Sequence, residues 1–267
     1  MLACAANLAA GEAPAQAATP GITSDCGGAI IALGEVASVI DGRSFLLADG
    51  REVRLAAIET PPMSDASRDN ARSGAGLAAK AALEALILHR AVSGRQAAAA
   101  DRYGRLVVYV FTMGPSEETF VQRELLANGK ALLSPGDIGP ACRAVLRAAE
   151  AAARAASLGL WDDPYYGVKN AEKTADLLAL QGRFVVVEGK IASVRERGGL
   201  VYMNFGRRWS EDFTVTILKR NERLFAGAGL VPGRLAGRRI EVRGIIEARG
   251  GPAIEAARPE QIEFAAY

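Results

Sequence analysis

"VIDGRSFLLADGREVRLAAIETPP", running from Val39 to Pro62, decides how the first half of the chain folds. Asp41-Gly42 and Asp49-Gly50 are strong tight-turn signals. They separate "GEVASVI", "SFLLA" and "REVRLAAI", three short runs of strand character. The pattern predicts a three-stranded meander that Pro61 and Pro62 bring to a stop, since proline donates nothing to a strand ladder. Two residues sit oddly in it. Arg43 occupies a turn position that would suit an acid, and Thr60 leads directly into the proline pair.

Downstream, "GAGLAAKAALEALILHRA" has the Ala- and Leu-rich texture of a helix, and His89 near its end is expected on a helix face. "DRYGRLVVYVFT" predicts a turn and a buried strand. "ETFVQRELLANGKALL" predicts a helix stopped by Asn128-Gly129. "PACRAVLRAAEAAARAASLGLW" predicts a long amphipathic helix stopped at Gly159. The expected organisation is a leader remnant or disordered N-terminus over residues 1–25, an α+β domain over 26–167, a linker over 168–180 ("DDPYYGVKNAEK" marks the exit), and a second β-rich domain over 181–267. In that last block five or so glycine-punctuated strands surround one short helical stretch near "NERLFAGAG", which suggests a small OB-like barrel. Two blocks of barrel length hint at a remote duplication, although no shared motif connects them.

The 267 residues suffice for two cores. Half of them are apolar and under a quarter charged, a globular composition. Residues 176–267 hold 15 Lys and Arg against 11 Asp and Glu, a formal +4, while residues 1–175 hold 17 against 19, a formal −2. Neither balance identifies a partner. The cysteines, Cys4, Cys26 and Cys142, lie far from metal-ligand spacing, and His89 is the sole histidine, so a His/Cys metal centre and a Ser-His-Asp triad are both excluded. No run of about 18 apolar residues exists to span a membrane.

The opening "MLACAANLAAGEAPAQAATP" resembles the tail of an export signal ending near Ala15-Gln16-Ala17, without a basic start. Cys4 in "MLAC" loosely resembles a lipoprotein acylation site, so a lipid anchor there is a secondary expectation. Export, periplasmic or secreted, is the primary one, and it would make Cys26 and Cys142 disulfide partners. The alternative is two unrelated buried thiols.

Across residues 34 to 166 the ordered set "VIDGRSFLLADGREVRLAAIETPP", "DRYGRLVVYV", "LLANGKALL" and "AEAAARAASLGLW" resembles the bacterial thermonuclease family, the staphylococcal-nuclease-like domains. The resemblance implies a five-stranded OB-like barrel with three helices. It also implies calcium-dependent hydrolysis of phosphodiesters: carboxylates and a carbonyl hold the cation, as suits a hard ion, a glutamate handles the water, and two arginines clamp the phosphate. Transferred by position, the clamp falls on Arg54 and Arg105, with Tyr103 beside the nucleotide. Glu59 takes the place of the second metal aspartate, and Thr60 that of the carbonyl donor.

Two positions depart. The first metal aspartate is Arg43, which repels a cation, and the general-base glutamate is Pro62, which has no titratable group. Any remaining base would have to come from Glu59, Asp65 or Asp69. Arg43 itself could serve as a fixed positive charge at the phosphate. The expectation is a degenerate site that binds nucleic acid or another anionic phosphodiester with weak or no hydrolysis, with calcium doubtful as a cofactor. The alternatives are an active nuclease with a rearranged site, and a protein-interaction scaffold. Against every functional reading stands a structural one: Arg54 solvated or salt-bridged, Arg105 paired with Asp101 across its turn, and Glu59 as a bridge partner for either arginine. In the second block Tyr202, Arg207, Arg208 and Trp209 form a candidate platform for single-stranded bases. There too the alternative is a core strand of Val201, Met203 and Phe205 followed by a self-neutralising charged loop.

Overall fold

The computed structural model describes residues 26, 28–63, 70–113, 118–134, 136, 139–208 and 210–265. The N-terminal stretch with Cys4, the candidate bases Asp65 and Asp69, and the candidate platform residue Trp209 lie outside the described residues.

The Asp-Gly turns connect β1 (Ile30–Val39), β2 (Ser44–Leu47) and β3 (Glu52–Leu55). Two further strands, β4 (Ala91–Gln96) and β5 (Leu106–Met113), complete a closed barrel. β1 pairs antiparallel with both β2 and β4, β2 with β3, and β4 with β5, while β3 runs parallel to β5 and closes the ring. One strand can serve two neighbours because β1 is bent. Its register shifts between Ala32 and Gly34 and again between Val36 and Ser38, as bulges allow. Leu33, Val36, Phe45, Val53, Leu55, Val108 and Val110 belong to the barrel's core.

β4 has little strand character in the sequence because Gly94 sits within it. The glycine is there for packing: a Cβ at that position would lie 2.8 Å from Leu33 Cδ1. "REVRLAAI" is one strand in pattern and two in fact. Ala57 turns with φ +62°, and Ile58–Glu59 then leaves the barrel to pair with Leu132–Leu133. This break carries Glu59 away from the ladder in which Arg54 stays.

Three helices cover the barrel: α1 (Asn70–Ile87), α2 (Val121–Ala127) and α3 (Pro140–Ala155). His89 is not on a helix face. It follows α1 in the left-handed region with φ +57°, where its N–H bonds Val36 O. The helix that Gly159 was expected to stop ends earlier, at Ala155, and Ser157 takes a positive φ first. Gly129 caps α2 as its sequence suggests, and it also meets Gly159. A Cβ on Gly129 would lie 1.9 Å from Leu158 O, one on Gly159 2.3 Å from Gly129 O, and Leu160 N–H bonds Gly129 O. The two glycine stops are one contact. Cys26 and Cys142 are joined by a disulfide, Cα to Cα 4.8 Å, which ties the chain ahead of β1 to α3.

The second core is built from β6 (Phe184–Lys190), β7 (Ser193–Arg197), β8 (Leu200–Asn204), β9 (Thr214–Leu218), α4 (Glu222–Gly227), β10 (Arg239–Ile245), β11 (Glu247–Arg249), β12 (Gly251–Glu255) and β13 (Ile262–Phe264). β6 pairs with β10, β7 with β8, β8 with β9 and β11 with β12, all antiparallel, and β9 runs parallel to β12. With β7 continuing β6 and β11 continuing β10, this is the pairing order of the first barrel. The stretch 168–180, expected as a linker, holds structure of its own. Lys169–Asn170 lies parallel to β6, and Leu177, in the helix Thr174–Leu178, is buried with Leu180 in the second core.

α3 joins the two cores. Leu146 and Ala149 pack in the barrel core, while Arg143, Arg147, Glu150 and Arg154 follow the three-and-four spacing of one helical stripe. That stripe meets β10, β13 and the turn ahead of β13: Arg143 with Glu260 (3.4 Å), Arg147 with Glu263 (2.6 Å), Arg154 with Glu241 (2.7 Å), and Glu150 with Arg243 (2.7 Å). Arg243 and Glu150 are each only 4% exposed. Arg243 also bonds Glu241 at 3.0 Å and Leu133 O at 3.3 Å, and Glu150 accepts Leu133 N–H at 2.7 Å. Burial works against the charge on Arg243, yet Glu150, Glu241 and Glu263 outweigh it and raise its pKa.

Candidate functional site

The site begins at the first turn. Asp41 Oδ1 accepts the Arg43 N–H at 2.8 Å, and Arg43 O accepts from Leu55, so the turn is held against β3. Gly42 is pressed against α1 and the exit loop. A Cβ there would lie 2.7 Å from Ala79 Cβ and 3.1 Å from Thr60. Gly76, a turn earlier in α1, is needed for the same reason, since a Cβ on it would come within 2.3 Å of Pro62 O. Two glycines thus let the turn, the "ETPP" segment and α1 close on one another.

In that space the three charged residues of the turn and strand meet. Glu59 is ion-paired to Arg43 through Oε2 and to Arg54 through Oε1, the latter at 3.3 Å. One carboxylate therefore faces two guanidiniums. Arg54 is half-buried, opposite Ser44 on β2 and Val107 on β5. Its pKa is lowered, first by burial and then by the neighbouring charge of Arg43, with Glu59 opposing.

The second arginine rests in its own turn. Asp101 Oδ1 accepts the N–H groups of Tyr103 and Arg105, and Oδ2 accepts Arg105 Nε at 2.8 Å and Nη2 at 2.7 Å. Gly104, φ +79°, makes the turn sharp enough for this. Arg105 Nη1 lies 3.5 Å from Glu52. The hydrogen bond with Arg105 holds the Asp101 carboxyl below its ordinary range, so the anchoring is present above that range and is lost only as pH falls through the lowered value. Tyr103 is 68% exposed, with Arg102 and Arg105 over its ring at 4.9 and 5.1 Å.

Residues 52–163 match the family model of staphylococcal nuclease homologues. This stretch of the chain is a staphylococcal-nuclease-like domain. No curated protein matches the chain.

The first barrel brings Arg43, which precedes the matched stretch, together with Arg54 and Glu59, and places Tyr103 and Arg105 in the neighbouring turn. These residues do not fit a calcium ion. Calcium takes six to eight oxygen ligands, whereas here a guanidinium holds the carboxylate that a cation would need. Among the described residues no group of three or more His, Cys, Asp and Glu side chains gathers to hold a metal. Saturating calcium would stabilise a folded binding site by about 2.7 kcal/mol at a hundredfold excess over Kd. The expected result is instead identical thermal unfolding in calcium and in chelator, and a calcium-dependent rise in Tm would contradict it.

The structural readings of the ion pairs also hold, since Glu59 pairs with Arg54 and Asp101 grips Arg105. The sequence reading allowed Glu59 to bridge Arg54 or Arg105, and what it missed is the partner Arg43. The signal was the charge reversal at Arg43, which supplies a partner for the carboxylate. In the second core Tyr202 lies across from Arg195 and Thr216, while Val201, Met203 and Phe205 are buried. Arg208 is ion-paired to Glu211 at 3.0 Å, and its backbone N–H bonds Asp212. The charged loop neutralises some of its own charge, and Tyr202 lies in the strand ladder.

Proposed function

We propose that the nuclease-like domain binds nucleic acid or another phosphodiester at Arg54, Arg105 and Tyr103, without a metal ion and with weak or no hydrolysis. The observation that carries this is the sharing of Glu59. Arg43 and Arg54 share a single ion-pairing carboxylate, which leaves guanidinium donors that Glu59 does not take, and arginine forks suit phosphoryl oxygens. Tyr103, exposed beside Arg105, offers a face on which a base can stack. Against hydrolysis stand Pro62 in place of the base and Arg43 in place of the cation's ligand. The Cys26–Cys142 bridge supports an oxidising compartment, and so export.

The test is fluorescence anisotropy on labelled single-stranded DNA and RNA across a salt series, with cleavage followed on the same strands in calcium and in chelator. Two phosphate contacts predict a slope of about −1.4 for log K against log salt. Arg54→Ala with Arg105→Ala is expected to weaken binding at least tenfold, and cleavage is expected to be weak or absent in the parent and no different in the double variant. Cleavage that disappears in the double variant would overturn the non-catalytic side of the reading. Binding unchanged by the double variant would overturn the assignment of the clamp.

A further inference from the structure

The positive charge of the C-terminal block is not spread evenly. Of the 15 Lys and Arg and 11 Asp and Glu in residues 176–267, the connection from β9 to β10, residues 219–238, holds five of the former and one of the latter. The rest of the block balances at ten against ten. One connection therefore carries the whole excess.

This connection caps the second core. Phe225, Leu230 and Leu235 are its feet, none more than 5% exposed and all packed in that core. Its far end is pinned to the junction of β6 and β7, where Gly237 N–H bonds Ile191 O and Ile191 N–H bonds Arg238 O. α4 also touches the short turn Pro232–Arg234, so the two halves of the cap lie together. What the feet do not bury is left facing water: Arg220, Arg223, Leu224, Val231, Arg234 and Arg238 are all exposed. Arg220 stands three residues from Arg223 and four from Leu224, which makes them neighbours on one side of α4.

Few acids answer these arginines. Lys219 is ion-paired to Glu196, and Arg238 lies over the Phe264 ring at 4.7 Å. Arg220, Arg223 and Arg234 have no ion-pair partner among the described residues, and Glu222 is the one acid of the connection. On the side of α3, Arg143 and Arg147 already neutralise Glu260 and Glu263. Between the arginines stand apolar groups in water. Leu224 is 54% exposed, Val231 36% and Phe264 47%. Phe264 belongs to the same surface, since it lines a cavity with Ala228 and Leu230 of the cap.

A phosphodiester strand would reward the arginines and leave these apolar groups wet. A bilayer with acidic headgroups accepts both, because guanidiniums meet the headgroup phosphates while Leu, Val and Phe enter the boundary of the acyl chains. We propose that the cap between β9 and β10 is a docking surface for anionic lipid. Arg220, Arg223 and Arg234 meet the headgroups, and Leu224, Val231 and Phe264 reach below them. The attachment is peripheral and needs no spanning helix.

The experiment uses the full chain and sucrose-loaded vesicles, of phosphatidylcholine alone or mixed in equal parts with phosphatidylglycerol, sedimented across a salt series. The protein is expected to bind the mixed vesicles and not the neutral ones, less as salt rises. An arginine at an acidic surface contributes roughly a fivefold factor in partition. Arg220→Gln with Arg223→Gln and Arg234→Gln should therefore lower the partition coefficient at least tenfold. Leu224→Ser should lower it several-fold with its salt dependence kept. All four positions are exposed, and thermal unfolding of each variant confirms that it is folded. The triple variant should keep the parent's affinity for single-stranded DNA. Equal binding to mixed and neutral vesicles would overturn the proposal. So would a folded triple variant, or a Leu224→Ser variant, that partitions like the parent. A triple variant that loses affinity for the single strand and keeps its hold on the vesicles would make the cap a nucleic-acid contact, and the lipid assignment would fail.

Discussion

Replacing Arg243 with alanine is expected to lower stability by about 3–5 kcal/mol, because it leaves buried carboxylates without their cation. Arg243 holds Glu150 and Glu241 together and bonds Leu133 O, at a position almost without solvent. For a chain of this size that loss corresponds to a fall in Tm of roughly 6–20 °C. The deficit should depend on pH with a definite sign. Burial already pushes the Glu150 carboxyl above its ordinary range, and Arg243 and the Leu133 amide pull it back incompletely. Without Arg243 the folded state prefers a protonated Glu150 still more strongly. A carboxyl whose folded pKa is raised loses stability as pH rises above its unfolded value. The variant's deficit should therefore be largest at neutral and alkaline pH and should shrink toward pH about 4.5. Adding Glu150→Gln should recover some of the loss at pH 8. A deficit below about 1 kcal/mol that does not vary with pH would mean that the cluster is solvated and structurally idle.

The second large effect is that of the disulfide. Cys26 and Cys142 are 116 residues apart in sequence and both are buried in the barrel core. A bridge across so long a loop restricts the unfolded chain strongly, and removing one from a folded domain costs about 2–5 kcal/mol. Cys26→Ser with Cys142→Ser should show this by chemical denaturation, as should the parent unfolded in reductant. The denaturant slope should rise in the reduced form, since its unfolded state exposes more surface. Equal midpoints for the oxidised and reduced parent would show that the bridge adds no stability.

The barrel was largely legible in the sequence because its turns are chemical signals. Gly50 and Gly129 take positive φ, a backbone that few other residues tolerate, and Gly42 makes room for Ala79 and Thr60. β4 was not legible, since Gly94 serves a packing contact with Leu33 that is remote in sequence. His89 was misplaced because the periodicity of α1 does not reveal where the helix stops. The residues of the site could be named one by one, but their arrangement could not. That Glu59 reaches Arg43 and Arg54 together depends on the turn at Ala57, a residue with no sequence mark of positive φ. The charged stripe of α3 was hidden for a further reason. Arginines and glutamate at helical spacing look the same whether they face water or another sheet, and only the tertiary structure places Glu241, Arg243, Glu260 and Glu263 opposite them.

α3 also has a mechanical consequence. Its apolar side holds the disulfide to Cys26, and its charged side grips β10 through Glu150, Arg154 and Arg243. A pull on the chain ahead of Cys26 divides there. One branch enters β1, and the other passes through the sulfur bridge into α3 and on to the second sheet. The turn and strand that carry Arg43, Arg54 and Glu59 lie off the second path. Under tension from that side, the bridge would carry into the second sheet part of a load that would otherwise pass along β1 to the turn of Arg43.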